Sequence, residues 1–182
     1  GTTTGHPWPY KHERDNEGEW CDRAELVMRH DQWSKSSILD IGVTKYVQRV
    51  PSYFPTSPGM DRGDLLRHKV LIMVEGNDAA TGLKWALLSK SAVVMPRPKV
   101  ATWLMEDLLV PGVHYLEVRP DFSDLEEVVR WCFDNDDECR RVAEAGTCWM
   151  ARFLDAEQEA RVMEEVWRGA TERMRIQGTC DG

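Results

Sequence analysis

Short, continuous apolar runs alternate along this chain with stretches whose apolar residues recur every three to four positions. The runs Ser37–Ile41, Lys69–Val74 (KVLIMV), Ala92–Met95 (AVVM) and His114–Val118 (HYLEV) suit strands buried on both faces. Helical patterns lie between them, over Arg23–Gln32, Leu83–Leu88 and Trp103–Leu109. The C-terminal third is helical throughout. Leu125, Val128, Val129, Cys132 and Phe133 form one stripe. Cys139, Val142, Ala143, Gly146, Trp149, Met150 and Phe153 form a second, and Met163, Val166, Trp167, Ala170 and Met174 a third. Ser123 with Glu126, Asn135 with Glu138 and Asp155 with Gln158 carry the spacing of helix N-terminal caps. Trp103, Trp149 and Trp167 fall on the stripes and are expected in the core. So are Cys132 and Cys139, because a free thiol packs as a small hydrophobe. Residues 49–64 hold Pro51, Pro55, Pro58, Gly59 and Gly63 and read as an irregular connection.

Buried strands alternating with helices predict an α/β fold, a Rossmann-like parallel sheet of about four strands with helices on both faces. In such sheets ligands gather at the carboxyl ends of the strands. That rule singles out the turn after KVLIMV, from Glu75 to Gly82.

The 182 residues fit one domain, and 42% apolar residues suffice for a core. A formal net charge of −8 argues against a nucleic-acid partner, which rewards a basic face. No apolar run reaches the length of a membrane span and no secretory leader is visible, so the compartment stays open: secretory pathway in a eukaryote, cytoplasmic face in a bacterium. A start at Gly1 rather than Met points to a missing N-terminal part. Cys21, Cys132, Cys139, Cys148 and Cys180 include no CxxC pair, so a zinc site is not expected.

Two glycine-bearing loops carry the candidate chemistry. Gly1-Thr2-Thr3-Thr4-Gly5 offers N–H groups and hydroxyls to a phosphate, but taken alone reads mainly as a flexible end. Gly76-Asn77-Asp78-Ala79-Ala80-Thr81-Gly82 leads from a strand into a helix, where N–H groups face an anion, but taken alone reads mainly as a strand-to-helix turn. It is neither a Walker loop nor GxGxxG. Arg23 reads equally as a surface residue of its helix and as a guanidinium suited to fork onto phosphate oxygens. Glu75 stands where a ribose hydroxyl would be met, and its alternative is a turn carboxylate. His114, before a strand, reads mainly as a hydrogen-bonded structural residue. The acidic run Asp134, Asp136, Asp137, Glu138 reads as a solvated helix start.

The segments HKVLIMVEGNDAATGLKWALLSKSAVVMP and LLVPGVHYLEVRPDFSDLEEVVRWC resemble glycosyltransferase family 90. That family includes capsule-associated proteins, lipopolysaccharide-modifying proteins and protein O-glucosyltransferases. Lys90-Ser91, His114-Tyr115 and Asp121-Phe122-Ser123-Asp124-Leu125 follow the family's order. Ser37–Thr44 resembles the strand before its central connection, and Gly1–Gly5 the end of its W-R-G-x-T-T-G loop. The resemblance implies the C-terminal lobe of a two-lobed GT-B transferase, with residues 1–182 as the nucleotide-sugar-binding lobe. A UDP-sugar would be the co-substrate, carrying glucose or xylose, and a glycan or protein the acceptor. No metal cofactor is expected. The donor-binding set is Thr2, Thr3, Arg23, Glu75, Asn77, Asp78, Ala79, Ala80, Thr81, Gly82 and Lys84. The general base is expected in an N-terminal lobe of the same polypeptide that this chain lacks. Two departures stand out. Gly82 replaces an Arg of many relatives, with Lys84 as a substitute cation, and Pro111-Gly112 replaces a Pro-Trp pair. The competing readings are a non-catalytic nucleotide-binding Rossmann-like module and, more weakly, an interaction domain without a ligand.

Overall fold

The computed structural model describes residues 22–45, 56–76 and 78–178. Its elements are α1 (Asp22–Met28), α2 (His30–Trp33), α3 (Arg62–Leu65), β1 (Val70–Ile72), α4 (Leu83–Leu88), β2 (Ala92–Met95), β3 (Leu116–Glu117), α5 (Leu125–Asp134), α6 (Asp136–Ala151) and α7 (Ala156–Gly178). Single 3-10 turns stand at Glu106–Leu108 and Arg152–Leu154. The strands form one sheet in the order β1-β2-β3, and both pairings are parallel. Leu71 pairs with Val93, and Val94 with Leu116. The fold is therefore α/β and Rossmann-like.

All four residues of β2 are buried, and their alternation divides the core between the two faces of the sheet. Ala92 and Val94 face one cluster with Leu26, Trp33, Leu116, Val118, Phe122, Leu125, Val129, Cys132 and Cys139. Val93 and Met95 face another with Leu71, Leu83, Ala86, Leu87, Leu104, Tyr115, Trp149 and Met150. Helix α6 contributes to both. Its Gly146 makes the crossing possible, since a methyl there would stand 2.8 Å from the His114 carbonyl oxygen and 2.9 Å from Leu87 Cδ2.

Several expectations are corrected. The sheet has three strands among the described residues, not about four, because Ser37–Ile41 forms none. Ile38, Leu39 and Ile41 are half-buried against the first cluster as irregular chain, and the Ile38 N–H is taken by the Ser36 hydroxyl at 3.3 Å instead of a ladder. Just beyond this run, Val43 makes an isolated parallel bridge to Thr56. The helix expected over Arg23–Gln32 breaks at Arg29. The one expected over Trp103–Leu109 shrinks to a single 3-10 turn, leaving Trp103 57% exposed rather than in the core. Trp149 is buried, but Trp167 is 71% exposed. The chain leaves the sheet at Arg152–Leu154, and α7 then carries Met163, Val166 and Trp167 on an open face. Of the three capping pairs, Asp155 caps α7, accepting from the Glu157 and Gln158 N–H groups. Ser123 and Asn135 place no side-chain oxygen on their helix starts. The Asn135 amide instead donates back to the Trp131 carbonyl at 3.0 Å, closing the end of α5. Cys132 and Cys139 lie in the core as expected.

Candidate functional site

Because the strands are parallel, β1, β2 and β3 all end at one edge. The chain leaving β1 runs through Met73, Val74 and Glu75 into the glycine loop. The chain leaving β2 runs through Pro96 and Pro98, whose rings preclude further ladder bonds. Between them is a hollow lined by Met73, Glu75, Ala80, Leu83, Met95, Pro96, Pro98 and Glu106. Open solvent included, it measures about 260 Å³. Since that volume includes open solvent, the hollow is at most one wall of a small-ligand site.

Two carboxylates brace that wall. Glu75 accepts from the Lys99 N–H at 3.2 Å and the Val100 N–H at 3.3 Å, tying the end of β1 to the loop after β2. Glu106, 2% exposed, accepts from the Thr102 N–H at 2.6 Å and the Thr102 hydroxyl at 2.7 Å. The turn that buries it needs a left-handed backbone at Met105, φ 55°. The sequence reading did not place Glu106, Thr102 or the two prolines at the site. The prolines could have been found, since they follow AVVM as Glu75-Gly76 follows KVLIMV.

The loop folds onto itself before α4. The Gly76 N–H donates to the Asp78 carbonyl at 3.2 Å, and Asp78 Oδ1 accepts from the Ala79 N–H at 2.8 Å. The Leu83 N–H then reaches the Ala80 carbonyl and the Ala86 N–H the Gly82 carbonyl, so α4 begins at Gly82. Thr81 is exposed. At Gly82 the room for a larger side chain is filled: a methyl would meet Met73 Sδ at 3.2 Å and Trp85 Nε1 at 3.3 Å. Lys84 does not turn back over the loop's start. Its Nζ stands over the Trp103 ring, 5.1 Å from the centroid.

Arg23, distant in sequence, reaches this loop. A methyl on Gly76 would sit 3.2 Å from the Arg23 guanidinium carbon and from Nη1, so the guanidinium packs directly against the glycine. Helix α1 is fixed in that position by three contacts. Leu26 is buried in the first cluster, the Trp33 indole N–H donates to the Leu26 carbonyl at 2.9 Å, and Arg29 pairs with Asp121 at 3.1 Å. Asp121 follows β3, so this ion pair also stands at the carboxyl edge. Bonds from the Ser123 N–H and hydroxyl, then the charges of Arg29 and Arg119, hold the Asp121 carboxyl below its ordinary range.

His114 lies elsewhere. It enters β3 and therefore stands at the amino edge of the sheet. Its Nδ1 accepts from the Val110 N–H at 2.9 Å, and its ring tilts against Trp149. Burial, and then the Arg152 charge, lower its pKa from the ordinary value. The acidic run opens α6: Asp136 binds Lys69 at 2.6 Å and Arg140 at 2.8 Å, which bring its carboxyl down to about 2. The structure thus brings together Arg23, Glu75, Gly76 and the loop Asp78–Gly82, with Lys84 on the first turn of α4. Thr2, Thr3 and Asn77, and with them the expected pairing of the Gly1–Gly5 loop with the second loop, lie outside the described residues. Among the described residues no helix is long and apolar enough to cross a membrane.

Comparison with known proteins gives a consistent result. Residues 9–179 match the family described as Glycosyl transferase family 90. The chain is 38% identical over 94 residues to O-glucosyltransferase LpsA of Dichelobacter nodosus, which covers 52% of this chain and 30% of that protein. It is 30% identical over 151 residues to Protein O-glucosyltransferase 2 of Danio rerio, covering 78% of this chain and 30% of the relative. Protein O-glucosyltransferase 3 of Rattus norvegicus matches at 28% over 193 residues, 94% of this chain and 37% of the relative. The chain thus spans about a third of the length of these relatives.

Proposed function

Since this chain belongs to glycosyltransferase family 90, we propose that it is the nucleotide-sugar-binding lobe of an enzyme that moves a sugar from a UDP-sugar to a glycan or protein acceptor. The observation that carries this reading is the Arg23 guanidinium packed on Gly76 at the carboxyl edge of the parallel sheet. A diphosphate brings about two negative charges, and removing them from water without partners is costly. A guanidinium beside a backbone loop offsets that cost with charge-assisted bonds of about 1.5–3 kcal/mol each. The glycine lets the cation lie against the backbone, so that guanidinium and loop can address one anion. No metal is needed for that role.

Glu75 fits the reading as a brace. It holds the wall of the hollow through Lys99 and Val100, at the strand end where a ribose hydroxyl would be met. The apolar wall of Met73, Leu83, Met95 and Pro96 suits the flat face of a base. Glucose is the favoured sugar, since the relatives are named O-glucosyltransferases. Titration calorimetry with UDP in the presence of a chelator tests the proposal. Binding is expected, and Arg23→Ala should weaken it about 10- to 150-fold, the equivalent of one charge-assisted bond. Equal affinity of variant and parent would remove Arg23 from the site. Absence of UDP binding by the parent would remove the nucleotide.

A further inference from the structure

Helix α7, at 23 residues, is the longest of the described elements. It follows the turn Arg152–Leu154 and carries Val162, Met163, Val166, Trp167 and Met174, which are between 47% and 71% exposed. Among the described residues nothing lies over that face. A helix in water draws most of its stability from packing an apolar stripe, and a contiguous exposed apolar patch marks an interface. The spacing shows what the stripe fits. Ala160, Met163, Trp167, Ala170 and Met174 follow one another at intervals of three, four, three and four positions. That is the seven-residue repeat of a helix that pairs lengthwise with another helix. Glu159, Val166 and Arg173 run along one edge of the stripe, and Glu157, Glu164 and Thr171 along the other.

The charges on those edges choose the partner and its direction. Glu159 and Arg173 carry opposite signs and stand at equal distances in sequence on either side of Val166. On one helix they are about 21 Å apart and cannot meet. We propose that α7 is a dimerisation helix, pairing antiparallel with α7 of a second copy of this chain about a two-fold axis at Val166. Glu159 of each helix then meets Arg173 of the other, and the two Val166 side chains meet on the axis. Between the helices, Met163 packs on Trp167 of the copy and Ala160 on its Ala170. Arg173 commits only its Nε to its own helix, donating to the Gly169 carbonyl at 3.1 Å. The far edge brings the two Glu164 side chains together, one exposed like-charge contact against two attractive ones. A parallel copy would instead set Glu159 against Glu164 on both sides. The antiparallel pair is also self-complementary, as a two-fold interface must be.

Sedimentation of the full chain over a concentration series should show a reversible species of twice the 20.9 kDa chain mass. Trp167→Glu puts an unpaired charge at the centre of the pair and should weaken association about 100-fold or more. The position is exposed, so the core around the sheet does not depend on it. Charge reversals decide the register. Glu159→Arg and Arg173→Glu should each weaken the dimer roughly tenfold, because both interhelical pairs become repulsive. Mixing the two variants one to one should restore association, since every reversed residue then faces an opposite charge on the other chain. An effect of either substitution on its own helix cannot produce that restoration. A chain that stays monomeric throughout the series, the outcome if some other protein or segment covers α7, would overturn the proposal. So would a dimer indifferent to Trp167→Glu, one strengthened by Glu159→Arg, or a loss that mixing does not repair.

Discussion

Replacing Gly76 with Ala tests whether Arg23 and the glycine loop act as one anion site. The added methyl would sit 3.2 Å from the guanidinium carbon and Nη1 and 3.3 Å from Nη2. Comfortable contact between such atoms is about 3.5–4.0 Å, so the guanidinium must withdraw by about 0.3–0.8 Å. It is the far end of a long, flexible side chain, whereas the loop is anchored by the Gly76-to-Asp78 bond. The backbone at Gly76 is not left-handed, so Ala adds no strain and the unfolding midpoint should hardly change. A charge-assisted bond of about 2.7–2.9 Å lengthened by that much loses a good part of its about 1.5–3 kcal/mol. A loss of about 1 kcal/mol is roughly fivefold in the Kd for UDP. The decisive measurement is a double-mutant cycle by calorimetry. In an Arg23→Ala background, Gly76→Ala should cost nothing further, because the side chain it displaces is gone. If Gly76→Ala weakens UDP binding equally in both backgrounds, Arg23 does not mediate the effect and the shared site is wrong.

Two further outcomes are expected. Gly146→Ala should destabilise the protein although Ala is the better helix former by about 1 kcal/mol. Its methyl meets the His114 carbonyl at 2.8 Å and Leu87 at 2.9 Å, and overpacking costs about 1–3 kcal/mol, so urea denaturation should show a net loss of up to about 2 kcal/mol. A gain in stability would mean that α6 does not cross as closely as described. The second concerns His114, whose pKa is lowered by burial and then by Arg152. A lowered value means the folded state binds fewer protons than the unfolded one, so the contribution is complete above the ordinary 6.5 and is lost as pH falls through the folded value. Urea midpoints should therefore fall as pH drops below 6.5, and His114→Asn, which keeps an acceptor for the Val110 N–H, should flatten that slope. An unchanged slope in the variant would assign the pH dependence to other groups.

The parallel sheet was legible because β2 is apolar at every position, which only a strand covered on both faces requires. Ser37–Ile41 looks the same in sequence and is not a strand. A short apolar run states that its residues are buried, but not whether a ladder is available beside it, and here Ile38, Leu39 and Ile41 pack as irregular chain. Trp103 and Trp167 misled for a related reason. Helical spacing predicts which residues share a face, but not whether anything covers it, and α7 departs from the sheet just before its stripe begins. Of the candidate site, the turn after KVLIMV was readable from the rule that ligands gather at strand carboxyl ends. The Glu75 bonds to Lys99 and Val100 were not, since they join segments some twenty-five positions apart and leave no periodic trace.

The motifs that carry the family resemblance mark the framework of the site more strongly than the site itself. Lys90, left-handed at φ 65°, ends α4, and Ser91 then turns its hydroxyl to the His68 carbonyl, fixing the entry of β1. Asp121–Leu125 is a turn that buries Phe122 and Leu125, holds its own backbone through Asp121 and Asp124, and reaches across to Arg29. His114 and Tyr115 seat the start of β3, where the Tyr115 hydroxyl donates to Glu117. Each sets where a strand begins or where a helix docks. Arg23 is two turns of helix from Arg29, and the Arg29–Asp121 pair together with buried Leu26 and Trp33 determines where Arg23 arrives. A loop such as Asp78–Gly82 needs only small residues and a correct starting point to meet an anion, so its own sequence is nearly featureless. Its position, and that of the cation beside it, are specified by residues elsewhere that do not line the hollow.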